Sequence, residues 1–289
     1  MEKQTVIITG GNAGIGLASA KSLAQLGFRL ILACRRPAAG EEAAIAIRGE
    51  TPGAEIEVLQ LDLASQDNIR EASQILLDRD ERIDVLLNNA GLYSATWQAT
   101  ADGYELQWGV NHLGHFLWTL RLMPLLQKAP AARVINVASK AYLSGKMTYD
   151  DLDQSISSYN GLRAYCRSKL ANVLFTTELA RRYPNIETYC LHPGVVATAI
   201  GTTSDARWYE RLLWRIMSVL AFRKPDKGAQ TSIFLASQPD IPAASGTFFD
   251  ENQKPRSLNT VASDPEAARK HWEYSLYATN LTNQQEKQD

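Results

Sequence analysis

The chain opens on an apolar run, Thr5-Val6-Ile7-Ile8-Thr9, rich in β-branched residues. A run of this length and composition reads as a strand buried on both faces. Over residues 15–26 the apolar positions recur instead at helical spacing, and the pattern stops at Gly27, a residue suited to ending a helix. The two patterns then alternate. Residues 29–34, 56–61, 83–87, 133–137, 186–192 and 246–249 read as strands. Residues 40–49, 66–79, 104–126, 162–182 and 227–236 read as helices between them.

Strands that alternate with helices predict one parallel sheet covered on both faces. Right-handed crossovers then favour an α/β, doubly wound dinucleotide-binding (Rossmann) arrangement of about seven strands. No Pro/Gly/Ser-rich linker divides the chain, so a single domain over residues 1–289 is expected. Residues 195–226 interrupt the alternation as an insertion, and the polar tail 282–289 is expected to fray.

Composition narrows the class. The 289 residues are 45% hydrophobic and 21% charged, with a formal net charge of −1, so nothing points to a nucleic-acid partner. Cys34, Cys166 and Cys190 are odd in number and far apart, which reads as free thiols in a reducing compartment. No cluster of Cys and His has metal-ligand spacing, and no metal is expected. Only Met1 to Gln4 precede the first strand, and no stretch approaches the ~20 apolar residues of a spanning helix. A cytoplasmic protein is expected.

Candidate chemistry begins where the first strand ends, at Thr9-Gly10-Gly11-Asn12-Ala13-Gly14-Ile15-Gly16. Glycines at 10, 14 and 16, between a strand and a helix, let backbone amides approach a pyrophosphate at a helix N-terminus. Gly10, Asn12, Gly14, Ile15 and Gly16 are therefore candidate cofactor contacts. The end of the second strand selects the cofactor. A carboxylate there binds the ribose hydroxyl of NAD, but this chain has Ala33-Cys34-Arg35-Arg36. Two guanidiniums suit a 2′-phosphate, so NADP is expected, with Arg35 the stronger candidate and Arg36 the second. Asp62, beside Leu63 after the third strand, is placed to accept from an adenine amino group, to cap a helix, or both. Asn89, Ala90 and Gly91 follow the fourth strand, with small side chains that let backbone lie against a nucleoside.

Tyr165 and Lys169 are four apart on an expected helix and so share one face. A phenol is a poor base near neutrality, and an ammonium one turn away favours its ionised form. Ser139 closes the fifth strand, where a hydroxyl points into the ligand crevice and can donate to a substrate oxygen; the plainer role is a cap. Asn111 is an Asn inside a helical stretch, where it is a mediocre helix former. His112 and His115 share that helix, with no acidic or Cys partner nearby, and read as packing or hydrogen-bonding residues.

Taken in order, Thr9-Gly10-x-x-x-Gly14-x-Gly16, Asn88-Asn89-Ala90-Gly91, Asn111, Ser139, Tyr165-x-x-x-Lys169 and Pro193-Gly194 resemble the short-chain dehydrogenase/reductase superfamily over about residues 5–250. The resemblance implies an NADP-dependent oxidoreductase. In it Tyr165 is the catalytic acid/base, Lys169 lowers its pKa and holds the nicotinamide ribose, Ser139 polarises the substrate oxygen, and Asn111 holds a water in a relay to Lys169. It further places Pro193, Gly194, Val195 and Thr198 against the nicotinamide and phosphates. Narrower stretches, Ala33-Cys34-Arg35, Asn111-His112-Leu113-Gly114-His115-Phe116 and Tyr165-Cys166-Arg167-Ser168-Lys169-Leu170-Ala171-Asn172, resemble the retinol dehydrogenases, the WW-domain oxidoreductase and protochlorophyllide reductase. A small apolar carbonyl or alcohol substrate follows. The alternatives are a protochlorophyllide-type double-bond reductase and an NADP-binding sensor without turnover.

Substrate is expected against residues 93–99, 141–147 and 195–226. Within the insertion, residues 207–223 mix Trp, Leu and Arg. They are open to three readings: a lid over an apolar substrate, a helix packed on its own domain or a second subunit, and a weak membrane-surface contact. Peripheral attachment to a membrane thus stays open, as does the choice between monomer and homodimer.

Overall fold

The computed structural model describes residues 3–147, 158–194 and 224–281. The strands of those residues join one sheet in the order β3-β2-β1-β4-β5-β6-β7-β8. They are β1 (Thr5–Thr9), β2 (Arg29–Cys34), β3 (Ile56–Gln60), β4 (Val85–Asn88), β5 (Arg133–Val137), β6 (Glu187–Leu191), β7 (Phe248–Phe249) and β8 (Pro255–Arg256). Pairings from β3 through β7 are parallel. The last, between β7 and β8, is antiparallel. The sequence pattern missed β8, two residues at an edge whose proline cannot donate to a ladder.

Alternation along each strand divides two apolar layers. Ile7, Ile31, Leu86 and Val134 face one side, where α3 (Gln66–Arg79), α5 (Gly114–Leu126) and α6 (Gly161–Arg182) pack. Val6, Ile8, Leu32, Leu87 and Ile135 face the other, covered by α1 (Gly14–Gln25), α2 (Pro37–Glu50) and α7 (Pro225–Ser237). The period of two sends successive side chains to opposite faces, so strands buried on both sides read as unbroken apolar runs.

Two helical details depart from the pattern. The expected helix over 104–126 begins at α4 (Leu106–Trp108) and passes through a π turn, Gly109–Leu113, before α5. Asn111 lies inside that turn, and π turns concentrate at functional sites. Beyond β8, α8 (Pro265–Ala278) buries Trp272 against Phe116 and Phe175. The sequence pattern missed this helix, whose start carries Asp264 as N-cap, Pro265 at the first helical position and Glu266 in the first turn.

The sheet order reverses between β1 and β4. Loops at the carboxyl ends of strands flanking such a reversal form the ligand crevice of an open α/β sheet.

Candidate active site

The glycine loop is built for close approach. Gly10 and Gly14 hold φ of 65° and 54°, the left-handed region that a Cβ penalises. A Cβ on Gly16 would stand 2.3 Å from the Gly10 carbonyl oxygen and 2.6 Å from Asn89 Nδ2. The loop is tied to β4: Asn89 Nδ2 donates to Thr9 O at 2.9 Å, and the Asn89 and Ala90 amides donate to Thr9 Oγ1, each at 2.9 Å. Helix α1 has no side-chain cap among the described residues, so its first amides are left for a ligand beside Asn12 and Ile15. These residues fit a dinucleotide pyrophosphate.

Arg35 and Arg36 stand exposed just past β2, and neither guanidinium forms an ion pair among the described residues. Asp62 is no helix cap. Its Oδ1 accepts from Ala64 N at 2.9 Å in a tight turn, while Ser65 caps α3 by accepting from Asn68 N at 3.2 Å. Leu63 is buried beside it. Pro193 and Gly194 follow β6, Gly194 at φ 78° with its amide 3.3 Å from His192 Nδ1. Val195 and Thr198 lie outside the described residues, as do 195–223 of the insertion and the tail 282–289.

The polar side chains meet at the ends of β5 and α6. Asn160 caps α6 by accepting from Arg163 N at 2.9 Å. Gly161 is pressed so close to the chain before it that a Cβ would meet Ser94 O at 2.1 Å. This packing brings the Tyr165 ring edge-on to Tyr93, with centroids 5.9 Å apart. Ser139 Oγ accepts from Ala141 N at 3.2 Å, capping the 3-10 turn Lys140–Ser144, and its hydroxyl acts on the Tyr165 phenol nearby. The plainer role expected of that serine, a cap, is the one seen here. Burial pushes the Tyr165 phenol above its ordinary value, and the Ser139 hydroxyl pulls it back.

Lys169 lies one turn on, its Nζ 5.7 Å from the Tyr165 ring centre and 3.0 Å from the Val137 carbonyl oxygen. Burial lowers it to about 8. Asn111 is wholly buried: Oδ1 accepts from Leu92 N at 2.8 Å, and Nδ2 donates to Leu92 O at 2.9 Å and Ser168 Oγ at 3.0 Å. Its amide hydrogens are thus spent on a clamp between the post-β4 segment and α6. A Cβ at Gly91 would sit 3.4 Å from both Asn111 Oδ1 and Lys169 Nζ, so the two polar groups lie against the same stretch of backbone. The arrangement holds a phenol with a transferable proton, a hydroxyl donor and an ammonium around one point.

The reading of the histidines as packing or hydrogen-bonding residues matches the structure: His112 Nε2 lies 2.9 Å from Ser275 Oγ, and His115 Nε2 lies 2.9 Å from Thr9 Oγ1. Sequence reasoning gave neither the Thr9 hydroxyl nor His115 a place near the site, although His115 stands four residues from Asn111 on one helix face. A cavity of about 560 Å³ adjoins Ser139, lined by Tyr142, Leu143, His192, Phe248 and Arg256 among others. No helix among the described residues is long and apolar enough to cross a membrane.

The family model of short chain dehydrogenases matches residues 4–207. The chain belongs to the short-chain dehydrogenase family. Human retinol dehydrogenase 14 is 43% identical to this short-chain dehydrogenase, over 97% of the chain and 88% of its own length. Human retinol dehydrogenase 13 is 40% identical over 96% and 85%. The crystal structure of an uncharacterised protein from Mycobacterium paratuberculosis has a TM-score of 0.76 and 33% identity, over 96% of this chain and 93% of its own. The chain thus lies on the retinol dehydrogenase-like branch and is an oxidoreductase that works with a nicotinamide cofactor.

Proposed function

We propose that this short-chain dehydrogenase uses NADP to move a hydride between the nicotinamide and the carbonyl or alcohol carbon of an apolar aldehyde, ketone or retinoid-like substrate. The observation that carries the reading is the Lys169 Nζ 5.7 Å from the Tyr165 ring centre, one helical turn on, with the Ser139 hydroxyl lowering the pKa of the same phenol. NADPH, when bound, supplies the hydride. Tyr165 gives its phenolic proton to the substrate oxygen, and Ser139 donates to the same oxygen and stabilises its developing charge. Lys169, while protonated, favours the phenolate left behind. Asn111, bonded to Leu92 and Ser168, keeps the Lys169 turn in register with the segment after β4 and serves a water relay to Lys169.

The choice of NADP rests on Arg35 and Arg36, exposed at the end of β2, with no carboxylate in residues 33–36. The apolar substrate rests on the names of the two human relatives and on the Trp and Leu content of 207–223. We also read the chain as one domain, because its described strands share one sheet. An NADPH-oxidation screen of the purified protein over apolar aldehydes, ketones and retinoids tests the assignment. Turnover on one class, with NADPH preferred to NADH, is the expected result. Silence across the panel despite tight NADPH binding would replace it with a sensor.

A further inference from the structure

The Thr9 hydroxyl oxygen already accepts from two backbone amides, those of Asn89 and Ala90. Its own proton is left for its third neighbour, His115 Nε2, 2.9 Å away. An imidazole that accepts at Nε2 carries its proton on Nδ1. That nitrogen lies 3.1 Å from the carbonyl oxygen of Asn111, so the bond there runs from His115 to Asn111. The carbonyl belongs to the π turn, where the ladder slips by one residue and Gly114 N bonds back to Gly109 O. A donor from outside the ladder steadies such a turn.

His115 is 2% exposed. Burial and the facing Lys169 ammonium hold it down to about 4, while the Asn111 carbonyl opposes the shift. His112 is the other titratable group that feels its charge. At neutral pH the ring is therefore a fixed donor–acceptor strut.

We propose that His115 is a positioning residue of the reaction, an Nδ1–H imidazole that joins the Thr9 hydroxyl beneath the dinucleotide loop to the Asn111 carbonyl beside Lys169. The two ring nitrogens serve two ends. The Nε2 side lets Thr9 gather the loops after β1 and β4, which seat the cofactor. The Nδ1 side holds the turn that clamps Leu92 and Ser168 near Lys169. The proposal rests on the assignment of Asn111 and Lys169 to the reacting group.

The test separates the two sides. Ring-nitrogen NMR of the full chain without cofactor or substrate should show His115 as the Nδ1–H tautomer, neutral from about pH 8 to about pH 5. An Nε2–H tautomer, or a titration near ~6.5, overturns the proposal whatever the substrate proves to be. Gln places its amide near the position of Nε2 and Asn near that of Nδ1. In His115→Gln, kcat should fall further than NADPH affinity; in His115→Asn, affinity should fall further than kcat. His115→Phe should lose about tenfold in each, the effect of one net hydrogen bond per side. NADPH affinity is read by quenching of protein fluorescence, so it stands apart from turnover. Equal losses in the Gln and Asn variants, or none in either, would make His115 a packing residue only.

Discussion

The Lys169 ammonium donates to the carbonyl oxygen of Val137, 3.0 Å away, with only 4% of the residue exposed. Burial holds its pKa to about 8 in the fold, against an ordinary value of 10.5. Between those values the unfolded chain binds the extra proton, so stability rises with pH across that window. At neutral pH the buried charge costs about 3 kcal/mol. Lys169→Met should therefore abolish turnover and raise stability by about 1–2 kcal/mol, after loss of the Val137 bond. Urea unfolding at about pH 7 checks it; a destabilised variant would contradict the argument.

Ser139 opposes the upward pull of burial on the Tyr165 phenol. In Ser139→Ala that opposition is gone, so the limb of the kcat profile set by Tyr165 should move to higher pH. The lost donor to the substrate oxygen should lower kcat about 10²–10³-fold. A pH–rate profile decides both, and an unmoved limb with near-normal kcat would remove Ser139 from the site.

Arg35 is exposed past β2 and forms no ion pair among the described residues. A charge-assisted bond to a 2′-phosphate is worth about 1.5–3 kcal/mol. Arg35→Ala should thus weaken NADPH binding by about ten- to a hundredfold and NADH binding little. Parallel titrations with the two cofactors measure the difference, and equal losses would make Arg35 a bystander.

Three buried histidines make the fold acid-sensitive. Burial holds His271 to about 3 and His115 to about 4, and lowers His112 well below its ordinary value. All three bind protons more readily unfolded, so their contribution is present above pH ~6.5 and is lost as pH falls toward the folded values. Each costs about 1.4 kcal/mol one unit below its unfolded pKa. Urea midpoints at about pH 7.5 and about pH 5.5 should differ by less in His271→Phe than in the parent chain. An undiminished difference would contradict the burial argument.

Much of this architecture is legible in the chain. The strands β1, β2 and β4 are mostly apolar runs because both faces of the sheet are covered there, and the glycines of the first loop announce a close approach. Asn111, Ser139, Tyr165 and Lys169 each have a plainer role alone, and stood out only as an ordered set that resembles the short-chain dehydrogenases. The rest depended on distance in space. Nothing in the spacing says that Thr9 and His115, 106 positions apart, share a hydrogen bond. Nor does an Asn in a helix reveal a π turn, which follows from how Gly109 and Gly114 pack against Thr100 and Leu63. Asp62 shows the opposite error: its position suggested a cap, and Ser65 fills that role three residues later.

Tyr165→Phe tests the central assignment most directly, because it removes one hydroxyl and leaves the ring against Tyr93. Single-turnover NADPH oxidation should fall by at least ~10²-fold, the scale of a lost general acid, while fluorescence titration shows NADPH binding within a few-fold of the parent. Turnover near the parent rate in a variant that binds NADPH normally would contradict the account.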